Sequence, residues 1–233
     1  MLYRNPNKII GVEKVYKKIN GVNLWYITEG NGQPVILLHG MGGTHEIFNV
    51  LTNSLSKKFS IYAIDSRGHG RSISADEYSY EIMMEDIASF IHELKLEKPI
   101  LLGFSDGGII GLLLASKYPR LLSKLIISGA NTRPEGIRNK WRFFLRAAYF
   151  FRRDPKIKLS LEGSNIRDCL KKITVPVLVL AGSNDLIKEA DTKYIAENIR
   201  NSILNILDGE SHSSYVVNSP KLYTIIKPFI ESD

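Results

Sequence analysis

Short apolar runs alternate along this chain with longer stretches in which apolar residues recur at helical spacing. The runs fall at Val35–Leu38, Ile61–Ile64, Ile100–Leu102, Lys124–Ile127, Val175–Leu180 and Ile203–Leu207. Most are rich in Ile, Val and Leu with no polar alternate, which predicts strands covered on both faces. Between them Glu46–Lys57, Tyr80–Lys95, Gly107–Tyr118, Asp191–Asn198 and Pro220–Ile230 read as helices. Strand and helix in alternation predict a doubly wound, mostly parallel α/β sheet. The stretch VYKKINGVNLWYITEGNG breaks this rhythm: two alternating segments flank Asn20-Gly21, a hairpin turn signal, and so predict an antiparallel edge.

In such sheets reactive groups gather beyond the carboxyl ends of the strands. The run PILLG leads into Phe104-Ser105-Asp106-Gly107-Gly108 and then an apolar helix. A G-x-S-x-G pattern between a buried strand and a helix is a nucleophile elbow, in which glycines at 103 and 107 leave room for a tight turn that lifts Ser105 into reach. A serine hydroxyl needs a base to take its proton, and the base needs an acid to orient it. His212 follows the last apolar run in a Gly-Glu-Ser-His loop, and Asp185 follows VPVLVLAGSN, giving the chain order Ser105, Asp185, His212. Of the other histidines, His45 and His92 fall in helical stretches and read as solvated, His69 lies in a glycine-rich turn, and His39 follows a strand where loop packing is its simplest role. Asp208 rivals Asp185 as the acid but sits in the strand itself.

The glycine-rich loop in PVILLHGMGGTHE supplies the Met41 backbone N–H as one donor for an oxyanion, and the Asp106 N–H at the start of the following helix supplies the second. Read instead as a dinucleotide fingerprint, that loop fails at its third glycine, and a Gly-Lys-Ser/Thr phosphate loop is missing.

With those motifs in place, the chain resembles the α/β-hydrolase fold family over nearly its whole length. The resemblance rests on His39-Gly40 with its glycine run, Asp65-Ser66-Arg67-Gly68-His69-Gly70-Arg71-Ser72, GFSDGG, GSNDLI and the GESH loop. Within that family, Gly-x-Ser-Asp-Gly-Gly with ASKYP and IISGAN is similar to the biphenyl-hydrolase-like group, which includes valacyclovir hydrolase. The resemblance implies a serine hydrolase of small carboxylic esters, and for Asp106 a role in holding the amino group of α-amino-acid esters. The plainer reading of Asp106 is a carboxylate stabilised at a helix N-terminus. The chemistry calls for no metal and no organic cofactor.

Charge changes the picture in one segment. The net charge is +7, and nine cations between Arg133 and Lys158 stand against only Glu135 and Asp154, so this stretch carries the whole excess. The rest of the chain is neutral on balance, which speaks against a nucleic-acid binder. We expect residues 1–132 and 169–233 to form the core and residues 133–168 a short basic helical cap. On a helix from Ile137 to Arg153, Ile137, Trp141, Phe144, Leu145, Ala148 and Phe151 share one face, with Arg138, Arg142, Arg146 and Arg153 on another. Trp141 and Phe144 are then expected to line the acyl pocket. Contact of the cap with anionic lipid is the sharper alternative to solvated arginines. Three other activities share this frame: a lysophospholipase or monoacylglycerol lipase, a cofactor-free carbon–carbon bond hydrolase or perhydrolase, and a non-enzymatic ligand receptor. The N-terminus lacks a signal-peptide pattern and no segment stays apolar for a membrane span, which leads us to expect a cytoplasmic protein. The single Cys169 excludes an internal disulfide.

Overall fold

A computed structural model describes residues 12–72, 77–163 and 165–232. The stretch scanned for a leader lies largely at residues 1–11, outside the described residues. Eight strands form one sheet: β1 (Glu13–Ile19), β2 (Val22–Glu29), β3 (Pro34–Leu38), β4 (Ser60–Asp65), β5 (Ile100–Phe104), β6 (Lys124–Ser128), β7 (Val177–Asn184) and β8 (Ser202–Ser211). Their spatial order is β1-β2-β4-β3-β5-β6-β7-β8. The β1–β2 and β2–β4 pairs are antiparallel and every later pair is parallel. Asn20 and Gly21 both take positive φ, 45° and 82°, as the twist of a two-residue hairpin requires.

The covered strands explain the unbroken apolar runs. In β3, Val35 and Leu37 face a layer formed with α1 (Asn49–Leu55) and α7 (Pro220–Ile230), where Leu51, Leu55, Leu222 and Ile226 are buried. Ile36 and Leu38 face the other layer, against α2 (Tyr80–Glu93) and α3 (Asp106–Lys117). Helix α3 is buried along almost its whole length, which is why its sequence is apolar all round. The chain ends the α2 and α7 N-termini with Ser79 and Ser219, whose hydroxyls accept from the Ile82 and Lys221 amides.

Two expectations change in the sheet and the helices beside it. The helix expected at Glu46–Lys57 is a 3-10 turn, His45–Phe48, followed by the shorter α1. Strand β8 is an edge, so Ile203 and Leu204 are exposed rather than covered.

Between β6 and β7 the chain leaves the sheet to form α4 (Asn139–Arg152) and α5 (Pro155–Glu162) and returns through a 3-10 turn, Arg167–Lys172, to β7, which α6 (Glu189–Glu197) follows. The two ends of this excursion are tied together. The Ile166 amide donates to the Thr132 carbonyl at 2.9 Å, and buried Asp191 of α6 accepts from the Thr132 amide, the Thr132 hydroxyl and Arg167. Helix α4 spans 139–152 rather than 137–153, because Ile137 is extended and bridges Ile187. Among the described residues no helix is long and apolar enough to cross a membrane.

Candidate active site

Three loops at the carboxyl edge of the sheet bring Ser105, His212 and Asp185 together. Ser105 sits between β5 and α3 at φ 53°, ψ −116°, a strained backbone for a residue with a Cβ. That turn closes only because the neighbouring glycines admit backbone. A Cβ at Gly103 would lie 2.2 Å from the Gly107 carbonyl oxygen, and one at Gly107 would lie 2.3 Å from that of Leu38. The sequence G-x-S-x-G is thus a packing requirement. The Ser105 amide donates to the Ser128 carbonyl on β6, and the Ser105 carbonyl accepts from the Gly108 and Ile109 amides.

His212 follows β8. Its Nε2 lies 3.2 Å from the Ser105 Oγ, and its Nδ1 lies 2.7 Å from the Asp185 Oδ1. Asp185 is buried and its Oδ1 also accepts from the Ile187 amide, which fixes the carboxylate on the loop after β7. An Nδ1–H donated to Asp185 leaves Nε2 free to take a proton from the serine. The imidazole packs against the Phe104 ring, centroids 4.8 Å apart. Asp208, the rival acid, is exposed on β8, and among the described residues the His212 ring bonds Asp185 and Ser105 instead.

Met41 and Asp106 both line the cavity beside Ser105, and among the described residues neither amide donates a backbone hydrogen bond of the loops and turns. Asp106 begins α3, where the unpaired first-turn amides and the helix dipole favour negative charge. Gly40 presses against this corner: a Cβ there would lie 2.8 Å from the Ser105 Cβ.

The Asp106 side chain makes no N-cap hydrogen bond, although it stands in the first turn of α3 as the plainer reading requires. Its Oδ1 accepts from the Tyr80 hydroxyl at 2.9 Å, while the helix N-cap position belongs to Ser105. Burial pushes the Asp106 carboxyl up to about 6, against the downward pull of the Tyr80 bond and of His212. Tyr80 was not legible as a site residue. It reads as a core position of α2, and only the packing of α2 against α3 carries its hydroxyl to Asp106.

A cavity of about 260 Å³ opens beside Ser105, lined by Met41, Asp106, Asn131, Ile137, Trp141, Leu145, Ser160, Leu186, Ile187 and His212 among others. Trp141 reaches it as expected, but Phe144 does not line it. The Phe144 ring stands 59% exposed on the outer side of α4, and Leu145 takes the inner place.

The remaining histidines mostly serve structure. His39 is buried, with Nε2 accepting from the Ser66 amide and Nδ1 donating to the Gly40 carbonyl, and burial drives its pKa down to about 4. His45, expected to be solvated, is buried. Its ring Nδ1 and its amide both reach the Asp65 Oδ1 at 2.7 Å. Burial opposes ionisation of Asp65, but these contacts and the Arg71 amide outweigh it and hold the carboxyl below its usual range. Arg67 forms a two-point pair with Asp86 of α2 at 2.7 and 2.8 Å. The motif from Asp65 to Ser72 therefore clamps the loop to α2 and to the β2 amide of Trp25, which donates to the Ser72 hydroxyl.

Among the described residues no cluster of His, Cys, Asp and Glu has the arrangement of a metal site. A family profile described as alpha/beta hydrolase fold matches residues 33–155. The chain is 30% identical over 246 residues to serine hydrolase BPHL of Homo sapiens, covering 91% of this chain and 84% of that one. It is 28% identical to the AB hydrolase superfamily protein YisY of Bacillus subtilis, with 91% and 96% covered. Among solved structures, an esterase from Exiguobacterium antarcticum superposes with a TM-score of 0.84 at 24% identity, covering 94% of this chain and all of that one.

Proposed function

Because the chain belongs to the α/β-hydrolase fold family, we propose that it hydrolyses small carboxylic esters through an acyl-enzyme on Ser105, with a preference for esters bearing an amino group next to the acyl carbon. The observation that carries the first part is the relay of Ser105, His212 and Asp185 at 3.2 and 2.7 Å. Ser105 Oγ attacks the acyl carbon as His212 Nε2 takes its proton. The negative charge that moves onto the carbonyl oxygen is met by the Met41 and Asp106 amides, a contribution of about 3 to 4 kcal/mol per donor in related chemistry. Asp185 holds the ring and stabilises the imidazolium. The same proton then passes to the leaving alcohol. Water, deprotonated by His212, attacks the acyl-enzyme, releases the acid and returns the proton to Ser105.

The amino-ester preference rests on Asp106. A carboxylate buried one residue from the nucleophile opposes an oxyanion unless a cation neutralises it. A substrate ammonium is a cation that arrives only with the right substrate, and the cavity that Asp106 lines has the volume for a small aminoacyl group. The Tyr80 hydroxyl occupies one carboxylate oxygen and so orients the group.

The test is a panel of p-nitrophenyl esters of increasing length together with amino-acid esters, run on the wild type, Ser105→Ala and Asp106→Asn. Loss of turnover and of fluorophosphonate labelling in Ser105→Ala supports the nucleophile. A selective loss on amino-acid esters in Asp106→Asn supports the ammonium site. Equal losses on charged and uncharged esters would remove that part of the reading.

A further inference from the structure

The outer face of α4 is built the wrong way round for a solvated helix. Amphipathic patterning should bury the aromatics and expose the arginines. Instead Phe143, Phe150 and Phe151 are 69%, 65% and 82% exposed, and no residue of α4 is buried. The helix covers the cavity with Trp141 and Leu145 on its inner side, so these phenylalanines form a separate ridge, and nothing in the proposed chemistry uses them. Phe150 and Phe151 stack edge to face, centroids 5.3 Å apart, which holds the ridge together. Monomeric proteins seldom keep a cluster of this kind in water, and where they do it marks a contact surface.

Charge identifies the contact. Between residues 133 and 163 the acids are already engaged: Glu135 pairs with Arg142, Asp154 with Lys156, and Glu162 with Lys158. Among the described residues Lys140, Arg146, Arg152 and Arg153 form no ion pair. The Arg153 guanidinium lies over the Phe150 ring at 5.5 Å, a cation held at the border of the ridge. Arg146 and Arg153 also line, with Tyr149, Phe150, Leu161 and Glu162, a surface depression of about 270 Å³. Exposed aromatics interleaved with free cations on one short helix match the interface of a bilayer, where rings enter the acyl boundary while cations meet headgroup phosphates. A nucleic-acid duplex would draw on the same cations but leave the phenylalanine ridge in water.

The geometry points to a docking surface on the outer face of α4 for an anionic phospholipid bilayer, with Phe143, Phe150 and Phe151 inserted and Lys140, Arg146, Arg152 and Arg153 on the headgroups. This surface is independent of the ester chemistry, since none of these residues lines the cavity.

The test is co-sedimentation of the full chain with phosphatidylcholine vesicles, with and without phosphatidylglycerol. The wild type should pellet with the anionic vesicles and weaken as salt is raised. Each cation removed, as in Arg146→Gln or Arg153→Gln, should weaken binding about fivefold. A Phe150→Ser, Phe151→Ser double variant should lose it by more than tenfold, while its melting temperature and its turnover of a soluble ester stay those of the wild type. Of the two tryptophans, Trp25 is buried and Trp141 stands 42% exposed beside the ridge, so a blue shift of emission on adding anionic vesicles should report docking. Failure to pellet with anionic vesicles at low salt overturns the proposal. So does a double variant that pellets as well as the wild type, or a concentration-dependent dimer of the wild type that the double variant abolishes.

Discussion

Asp106 should cost the fold stability that the chemistry repays, and the size of that cost follows from its position. Its carboxyl is raised from an ordinary 3.8 to about 6, chiefly by burial. A raised acid binds its proton more tightly in the folded state than in the unfolded one. It therefore leaves stability untouched below the unfolded value, erodes it as pH climbs between the two, and has its full adverse effect above about 6. A shift of about 2 units corresponds to about 3 kcal/mol at neutral pH and above. Asp106→Asn keeps an oxygen to accept from Tyr80 and removes the charge. We expect it to be more stable than the wild type by up to about 3 kcal/mol near pH 8, with the gap shrinking to about 0.5 kcal/mol near pH 4. In melting temperature the gain near pH 8 is about 6 to 12 °C for a chain of this length. Urea unfolding of both proteins across this pH range, followed by circular dichroism, measures it. A variant that is less stable near pH 8, or whose advantage does not change with pH, would refute the reasoning. The same substitution should lower turnover of amino-acid esters, so that stability and activity move in opposite directions.

Tyr80→Phe removes the hydrogen bond that pulls the Asp106 carboxyl down, so the acid limb of the pH–rate profile for amino-acid esters should move to higher pH while that for uncharged esters stays put. Ser105→Ala should cut ester turnover by roughly 10⁶-fold without changing the melting temperature downward, measured by p-nitrophenol release and calorimetry. Gly107→Ala drives a Cβ to 2.3 Å from the Leu38 carbonyl oxygen and should lower stability by more than about 3 kcal/mol or prevent soluble expression, read by denaturant unfolding. Arg67→Ala leaves buried Asp86 without its two-point partner and should cost about 3 to 5 kcal/mol by the same measurement, whereas an Arg67→Met, Asp86→Leu pair should recover most of it.

The sequence by itself determined the sheet, the order of its strands in the chain and the loops that carry the candidate site. From β3 to β7 the unbroken Ile, Val and Leu runs match strands covered on both faces, and Asn20-Gly21 closes a hairpin of the matching twist. Ser105, Asp185 and His212 were legible because each follows a strand, and the carboxyl ends of parallel strands lie at one edge of the sheet. Gly103 and Gly107 announced a turn too tight for side chains. What local pattern could not settle was every feature that depends on which element packs against which. His45 looked like a solvated helical residue until the fold set it on Asp65, and Tyr80 looked like core until α2 met α3 beside Asp106. Helical spacing placed Phe144 with Trp141, yet rotation of α4 about its own axis turned Leu145 inward and Phe144 outward, and the same rotation set Phe143, Phe150 and Phe151 in water. Periodicity fixes which residues share a face of a helix, but the direction of that face comes from contacts made by residues far away in the chain.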